Sequence, residues 1–301
     1  MPKVSICVPT YENPVEVKRL VDSVREQTFQ DYEIIITDDS KDNRIENYIF
    51  ALQTEKDSVA AKIRYYHNEK PLGHIYNWNE AVSHAKGELI KIMFSDDWFT
   101  YPDSLEKMVI MLQKHPEAGM AFCGSMQVSE KSSYSRKPEA GYVEKLQQDY
   151  RYVFISNQIG APSDILYRRD LDVMFDENSN WASDVFLYME ILKKNSKFVF
   201  TEEPLISIGI HENQYTESFS ENDSRIFKDY QYMFEKYTLR NSQECREYFL
   251  KQYLIRYPKG MEEALKSGYS KMEFVTALTG YYVKEVFPCW GQALWRKVTG
   301  K

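Results

Sequence analysis

The chain has 301 residues, 43% of them apolar, and a net charge of −7 from 45 acidic and 38 basic side chains. That length suffices for one large α/β domain with an appended segment, or for two modest domains. The acidic balance excludes an extended phosphate-tracking surface as the main business of the chain, so nucleic acid is not an expected partner.

The first element is KVSICVP, a strand beginning at residue 3, followed by a helix with Val17, Leu20, Val21 and Val24 on one face and then the strand EIIIT at 33–37. This is a βαβ unit. A second helix places Ile45, Tyr48, Ile49 and Leu52 at helical spacing, IRYYH at 63–67 is the third strand, and the next helix carries Ile75, Trp78, Val82 and Ala85. The fourth strand is ELIKIMF at 88–94. Its following helix, opening at Pro102, turns Leu105, Met108, Val109 and Leu112 inward. GMAFCGSMQV at 119–128 reads as another strand, and the polar stretch 129–140 as a surface excursion. From 141 to 215 helix-like and short strand-like pieces imply mixed pairing. Beyond about 221 the pattern is helical and rich in Tyr and Phe. The four cysteines, Cys7, Cys123, Cys245 and Cys289, are far apart with no CxxC, which fits reduced thiols. With no 18-residue apolar run and a strand at the very start, the expectation is a cytoplasmic protein without a secretory leader.

Strands linked by helices pair in parallel through right-handed crossovers, and ligands bind beyond the carboxyl ends of such strands. Asp38-Asp39 and Asp96-Asp97 each end one of those strands. The crevice has neither GxGxxG after the first strand nor GxxxxGK[ST], so a glycine-rich turn does not hold phosphate here. A divalent cation on carboxylate oxygens would neutralise a diphosphate instead, and Ser95-Asp96-Asp97 is placed to hold one. Acidic pairs at strand ends are also common as solvated turn residues, and on the residues alone both readings stand.

Ordered blocks of the sequence narrow the choice. KVSICVPTYENP, QTFQDYEIIITDDS and KPLGHIYNWNEAVSHAKGELIKIMFSDDWFTYPDSL resemble the donor half of the family 2 inverting glycosyltransferases with a GT-A fold, closely over residues 3–128 and more loosely to about 215. The resemblance implies a mostly parallel central sheet flanked by helices. It divides the chain into a catalytic domain at 1–220, with a donor half at 1–128 and an acceptor half at 129–220, and a helical extension at 221–301.

By the same resemblance Pro9, Thr10 and Tyr11 form the loop on which uridine lies, with Tyr11 against the base. Asp39 accepts the uracil imide N–H and Asp38 supports the turn. Lys70 and the stretch from Gly73 to Asn79 close around diphosphate and ribose, with His74 within reach of phosphate. Asp97 binds Mn²⁺ or Mg²⁺ and Asp96 contacts ribose or sugar. The shortened Asp-Asp form leaves open which carboxylate holds the cation. Asp184, preceding a helix in Trp181-Ala182-Ser183-Asp184, is the general base, and His211 gives the cation or diphosphate a further contact. An N-terminal aspartate is also what a helix requires for its dipole.

The implied activity is metal-dependent, inverting transfer of a sugar from a nucleotide diphosphate, UDP by expectation, to a hydroxyl of a surface glycan or lipid-linked saccharide. Two other readings are a sugar-phosphate nucleotidyltransferase and a non-catalytic nucleotide-sugar-binding protein. The segment 286–301 mixes Trp290 and Trp295 with Arg296 and Lys297, which suits a peripheral contact at the inner face of the cell membrane, helix packing, or a homodimer contact.

Overall fold

The structure, a computed structural model, describes residues 1–54, 58–212, 214, 219–220, 223–257 and 259–283. It forms two compact units, Met1–Glu221 and Asn222–Lys301. The aromatic and basic segment 286–301 lies outside the described residues.

The first unit is built on a nine-stranded sheet in the order β3-β2-β1-β4-β8-β6-β9-β5, with β7 added at β6. Strands β1 (Val4–Thr10), β2 (Tyr32–Asp38), β3 (Ile63–His67) and β4 (Leu89–Ile92) are mutually parallel. Every residue of β1 is buried, as a strand covered on both faces requires, and this explains its unbroken apolar run. Helix α1 (Pro14–Arg25) buries Val17, Leu20, Val21 and Val24 completely against this sheet's core, each contributing about 1.5–3 kcal/mol. Asn13 caps it by accepting from the Glu16 amide, and Pro14 occupies the first turn, where its missing N–H has no cost. Helices α2 (Arg44–Thr54), α3 (His74–Ser83) and α4 (Ser104–Lys114) complete the donor-side layers.

Because β1 lies between β2 and β4, the chain leaves the sheet in opposite directions on either side of it, which opens a crevice at the carboxyl ends. Thr10 pairs with Asp38 and Cys7 with Ile92, so both acidic pairs lie along that opening.

The rest of the sheet is mixed, as anticipated. Strand β5 (Trp98–Phe99) runs antiparallel to β9 (Phe198–Gly209), β6 (Met120–Val128) runs parallel to β9, and β8 (Ile165–Arg168) joins β4 to β6 antiparallel to both. Three expectations need correction. The excursion at 129–140 contains a strand, β7 (Ser133–Arg136), paired with β6 through exposed residues whose polarity hid it. Helix α4 starts at Ser104 rather than Pro102, with Pro102 in the preceding turn and Ser104 Oγ accepting from the Tyr101 amide. Helix α3 buries Ile75, Asn77 and Ala81, leaving Trp78 half-buried against Phe94 and Phe175.

Helices α5 (Tyr142–Gln148) and α6 (Tyr152–Ile155) precede β8, and α7 (Ser183–Lys194) precedes β9. The second unit comprises α8 (Ser224–Lys236), α9 (Gln243–Phe249), α10 (Gly260–Lys266) and α11 (Lys271–Tyr281). Its core is a run of stacked rings, Phe227 on Tyr257 at 4.0 Å, Tyr230 on Tyr253 at 4.4 Å and Phe234 on Phe249 at 4.5 Å.

Candidate active site

Pro9 and Thr10 are the last residues of β1 rather than loop residues, and Tyr11 is the first residue past the strand, at the crevice. Thr10 is buried and its hydroxyl donates to the Thr37 carbonyl, while Tyr11 is 50% exposed and free to lie against a flat ligand. Glu12 follows in the left-handed region at φ 56°, a strained conformation for a residue with a Cβ. Ser40 Oγ accepts from its amide at 2.7 Å and Arg44 donates to its carbonyl at 2.9 Å, so the next loop and α2 hold the strain.

The first acidic pair divides its work. Asp38 is fully buried and accepts from Ser40 and, at 2.7 Å, from the Tyr65 hydroxyl, which makes it a brace for the turn. Asp39 is 4% exposed and accepts from the Leu72 amide at 2.6 Å, the Gly73 amide at 2.9 Å and Asn68 Nδ2 at 3.0 Å. Its carboxylate ties the 68–73 loop to the end of β2, and one further donor fills its remaining acceptor capacity. Lys70 is exposed on that tied loop. Asn79 has other employment: its amide exchanges two hydrogen bonds with the Phe175 backbone, at 2.8 and 3.0 Å. Asn77, two residues earlier on the opposite side of the helix and unremarked in the sequence, is the asparagine that reaches the strand ends, donating to the Thr10 carbonyl at 3.2 Å.

The second pair is split too. The pairing of Trp98 with Ser207 lays the chain after Asp97 along the end of β9, which brings Gly209 and His211 onto the carboxylates. Only glycine fits at 209, since a Cβ there would lie 2.5 Å from the Asp96 carbonyl oxygen. Asp97 is 2% exposed, bonded to the Gly209 amide and to Ser163, and burial followed by the charge of Asp96 raises its carboxyl well above the usual range. Asp96 is the more accessible member. Its Oδ2 lies 3.3 Å from His211 Nε2, and Glu16 Oε1 of α1 lies 3.5 Å from the same nitrogen. Arg19 fixes this corner by donating to the Asp96 carbonyl at 2.6 Å while lying 3.9 Å over the Trp98 ring. Glu16 and Arg19 escaped the sequence reading because a first-turn glutamate and a basic residue one turn on are ordinary helix furniture.

Oxygen donors with one imidazole form a set suited to Mn²⁺ or Mg²⁺. Among the described residues no three His, Cys, Asp or Glu side chains converge on one point. A cation on Asp96 and His211 would complete its shell with ligand oxygens and water, the usual arrangement for a hard ion bound with a diphosphate.

Asp184 lies in the first turn of α7, half-buried. Desolvation pushes its carboxyl up to about 6, although the Val185 amide, Arg136 and Asn157 favour the anion. A polar chain links it to the acidic pair: Asn157 and Arg136 lead to Asp164, which neighbours Ser163, and Ser163 bonds Asp97 and the Phe94 amide. Beneath lies Lys91, fully buried in β4 and donating to the Ser163 carbonyl, with burial lowering its ammonium to about 8. The structure therefore brings Asp96 against His211 with Asp97 buried beside Asp96, and sets Asp184 at the far end of a run of polar groups, while Asp39 and Tyr11 flank the neighbouring strand ends.

The pattern of glycosyl transferase family 2 matches residues 5–174. Among curated relatives, an uncharacterized glycosyltransferase of Methanocaldococcus jannaschii is 26% identical over 253 residues, 82% of each chain. The GalNAc(5)-diNAcBac-PP-undecaprenol β-1,3-glucosyltransferase of Campylobacter jejuni is 21% identical over 232 residues, 76% of this chain and 72% of that one. Among solved structures, Staphylococcus aureus TarS 1-349 in complex with UDP-GlcNAc superimposes with a TM-score of 0.63 at 18% identity, over 94% of this chain and 81% of that one. The mannosyltransferase PcManGT of Pyrobaculum calidifontis, in complex with GDP-Man and Mn²⁺, gives 0.60 at 16%, over 96% and 83%.

Proposed function

The chain belongs to glycosyl transferase family 2, and on that premise we propose that it is an inverting, cation-dependent enzyme moving a sugar from UDP to a hydroxyl of a glycan or lipid-linked saccharide. The nucleotidyltransferase and binding-only readings drop away with the family assignment. The observation that favours this chemistry most is Asp184, whose carboxyl is pushed up to about 6 chiefly by desolvation and which begins a run of polar groups, Asn157, Arg136 and Asp164, toward the end of β4.

In this reading Tyr11 lies against the base and Asp39 accepts its imide N–H, with Pro9 and Thr10 shaping the loop and Asp38 bracing the turn. Lys70 closes on the diphosphate. Asp96 and His211 hold Mn²⁺ or Mg²⁺, with the Asp97 carboxyl buried beneath. Asn79 leaves the donor-binding set because its amide is engaged with Phe175. The cation, when bound, stabilises the charge that develops on the departing diphosphate. Asp184 takes the proton from the acceptor hydroxyl as its oxygen bonds to C1, and the electron pair of the C1–O bond leaves with the nucleoside diphosphate on the opposite face. UDP as donor is supported by UDP-GlcNAc in the TarS structure. A saccharide acceptor is supported by the name of the Campylobacter jejuni relative, a glucosyltransferase acting on a lipid-linked saccharide.

No helix among the described residues is long and apolar enough to cross a membrane. We place the enzyme at the cytoplasmic side, where nucleotide sugars are available.

A panel of UDP, GDP, CMP and dTDP sugars with and without Mn²⁺ tests this, since a ligand bound only by the native state raises its melting temperature. The expected outcome is a metal-enhanced shift with UDP sugars alone, retained in Asp184→Asn, whose transfer falls at least about 100-fold. Full turnover by that variant would remove Asp184 from its role.

A further inference from the structure

Asn157 lies in the loop between α6 and the helical turn Pro162–Asp164. Its Nδ2 donates to Asp184 Oδ2 at 2.6 Å, and Asp184 Oδ1 accepts from the Val185 amide at 2.8 Å. Each carboxylate oxygen thus has one fixed donor, and the side chain is held in a single orientation. We propose that Asn157 is a positioning residue for the general base, holding the Asp184 carboxylate so that one lone pair is always presented to the acceptor hydroxyl. This rests on the assignment of Asp184 as base and adds the residue that makes the base competent.

Two features show that the amide is set for this purpose. Its other end, Oδ1, is buried and has no hydrogen-bond partner among the described residues. Reversing the amide would oppose that oxygen to Asp184 Oδ2, so the orientation is fixed by the aspartate even though an acceptor is left unsatisfied. The backbone beneath is fixed as well. Arg136 donates to the Asn157 carbonyl at 3.3 Å, and the Tyr188 hydroxyl donates to the Gly160 carbonyl at 2.9 Å. Gly160 adopts φ +117°, and a Cβ there would lie 2.0 Å from Asp164 Oδ2 and 2.8 Å from Arg136 Nη1. Asp164 in turn accepts from the Ala161 amide at 3.1 Å and the Ser125 hydroxyl at 3.1 Å. The loop is therefore clamped from β6, β7 and α7 by groups that need no substrate.

The charged and titratable groups facing Asp184 are Arg136 from β7 and Tyr188 from its own helix. Asp164 shares Arg136, and Tyr142 of α5 adjoins both Arg136 and Tyr188. Arg136 and Asn157 favour the anion against the desolvation that raises it, so loss of the Asn157 donor moves the titration of Asp184 upward.

The test uses the full chain and two readouts. The Asp184 carboxyl is titrated by ¹³C NMR, its signal assigned by its disappearance in Asp184→Asn. Hydrolysis of UDP-glucose, UDP-GlcNAc and GDP-mannose with Mn²⁺ is followed by nucleotide release. In the unaltered protein the midpoint is expected near 6, and in Asn157→Ala about one pH unit higher. Donor hydrolysis at pH 6.5 should fall roughly 10- to 100-fold in kcat, with KM for the donor within about twofold and the deficit narrowing by pH 8.5. Asn157→Ser, with a shorter donor, should fall between the two and serves as the test variant if the alanine form does not fold. An unmoved midpoint in a folded variant overturns the role of Asn157. Undiminished hydrolysis by Asp184→Asn would instead overturn the base assignment, so the two failures are distinguishable.

Discussion

Asp96 and Asp97 are adjacent in sequence and opposite in circumstance. Asp96 meets His211 at 3.3 Å with 19% of its side chain exposed, whereas Asp97 is buried on the Gly209 amide with its carboxyl raised. Desolvation favours the protonated form of the Asp97 carboxyl, and an amide of the same shape mimics that form. Asp97→Asn is therefore expected to leave the melting temperature of the ligand-free protein within about 2 °C, while Asp96→Asn and His211→Ala abolish the Mn²⁺ increment of the UDP-sugar shift. If Asp97→Asn alone loses that increment, the cation rests on Asp97, as the family resemblance first suggested. The sequence showed which residues to watch but not how two neighbours divide their tasks. That division comes from the pairing of β5 with β9, which sets one carboxylate inward, and a strand of two residues leaves no periodic trace.

Among the elements, α3 shows how burial reassigns a residue. Its side chains face both the crevice and the Phe175 segment, and Asn79 is on the Phe175 side, joined by two hydrogen bonds. Asn79→Ala removes both and leaves the Phe175 N–H and C=O wanting partners, so a loss of about 2 kcal/mol in urea denaturation is expected with the UDP-sugar shift preserved. A donor-binding asparagine would show the reverse. Helical spacing identified α3 itself, because Ile75, Trp78, Val82 and Ala85 recur at helical intervals. It misjudged the inward set because the wall facing α3 is polar near the strand ends, where Asn77 bonds backbone, and periodicity counts only apolar residues. Strands β1 and β2 were legible for the opposite reason: they are enclosed on both faces and write continuous apolar runs. β7 is exposed and writes none.

For the molecule as a whole, the polar heart of the first unit makes stability depend on pH. Asp164 is raised to about 7 and Asp184 to about 6, both chiefly by desolvation, against about 3.9 for an aspartate in the unfolded chain. Between those values the folded protein binds more protons than the unfolded one, so these groups stabilise it fully below about pH 4 and lose that contribution as pH rises toward 7. Lys91 acts in a higher window: its ammonium is lowered to about 8, so its unfavourable burial is relieved as pH rises from 8 toward its ordinary value. Asp164→Asn, whose amide oxygen can still accept from Ser125 and Ala161, should flatten the decline in unfolding free energy between pH 4.5 and 7.5. Urea titrations at both pH values read this directly, and an unchanged slope would exclude Asp164 as its source. None of this was visible in the sequence, because Lys91 within ELIKIMF looks like a solvent-facing break in a strand. The same lysine has a consequence for synthesis. The open side of β4 is closed only by β8, which begins at Ile165, so the nascent chain leaves the ribosome with that edge bare while translation, at roughly 5–20 residues per second, supplies its mate. An ammonium in the middle of an unpaired ribbon discourages adhesion to other unfinished polypeptides, so the charge that costs the folded protein stability guards the growing chain against clumping.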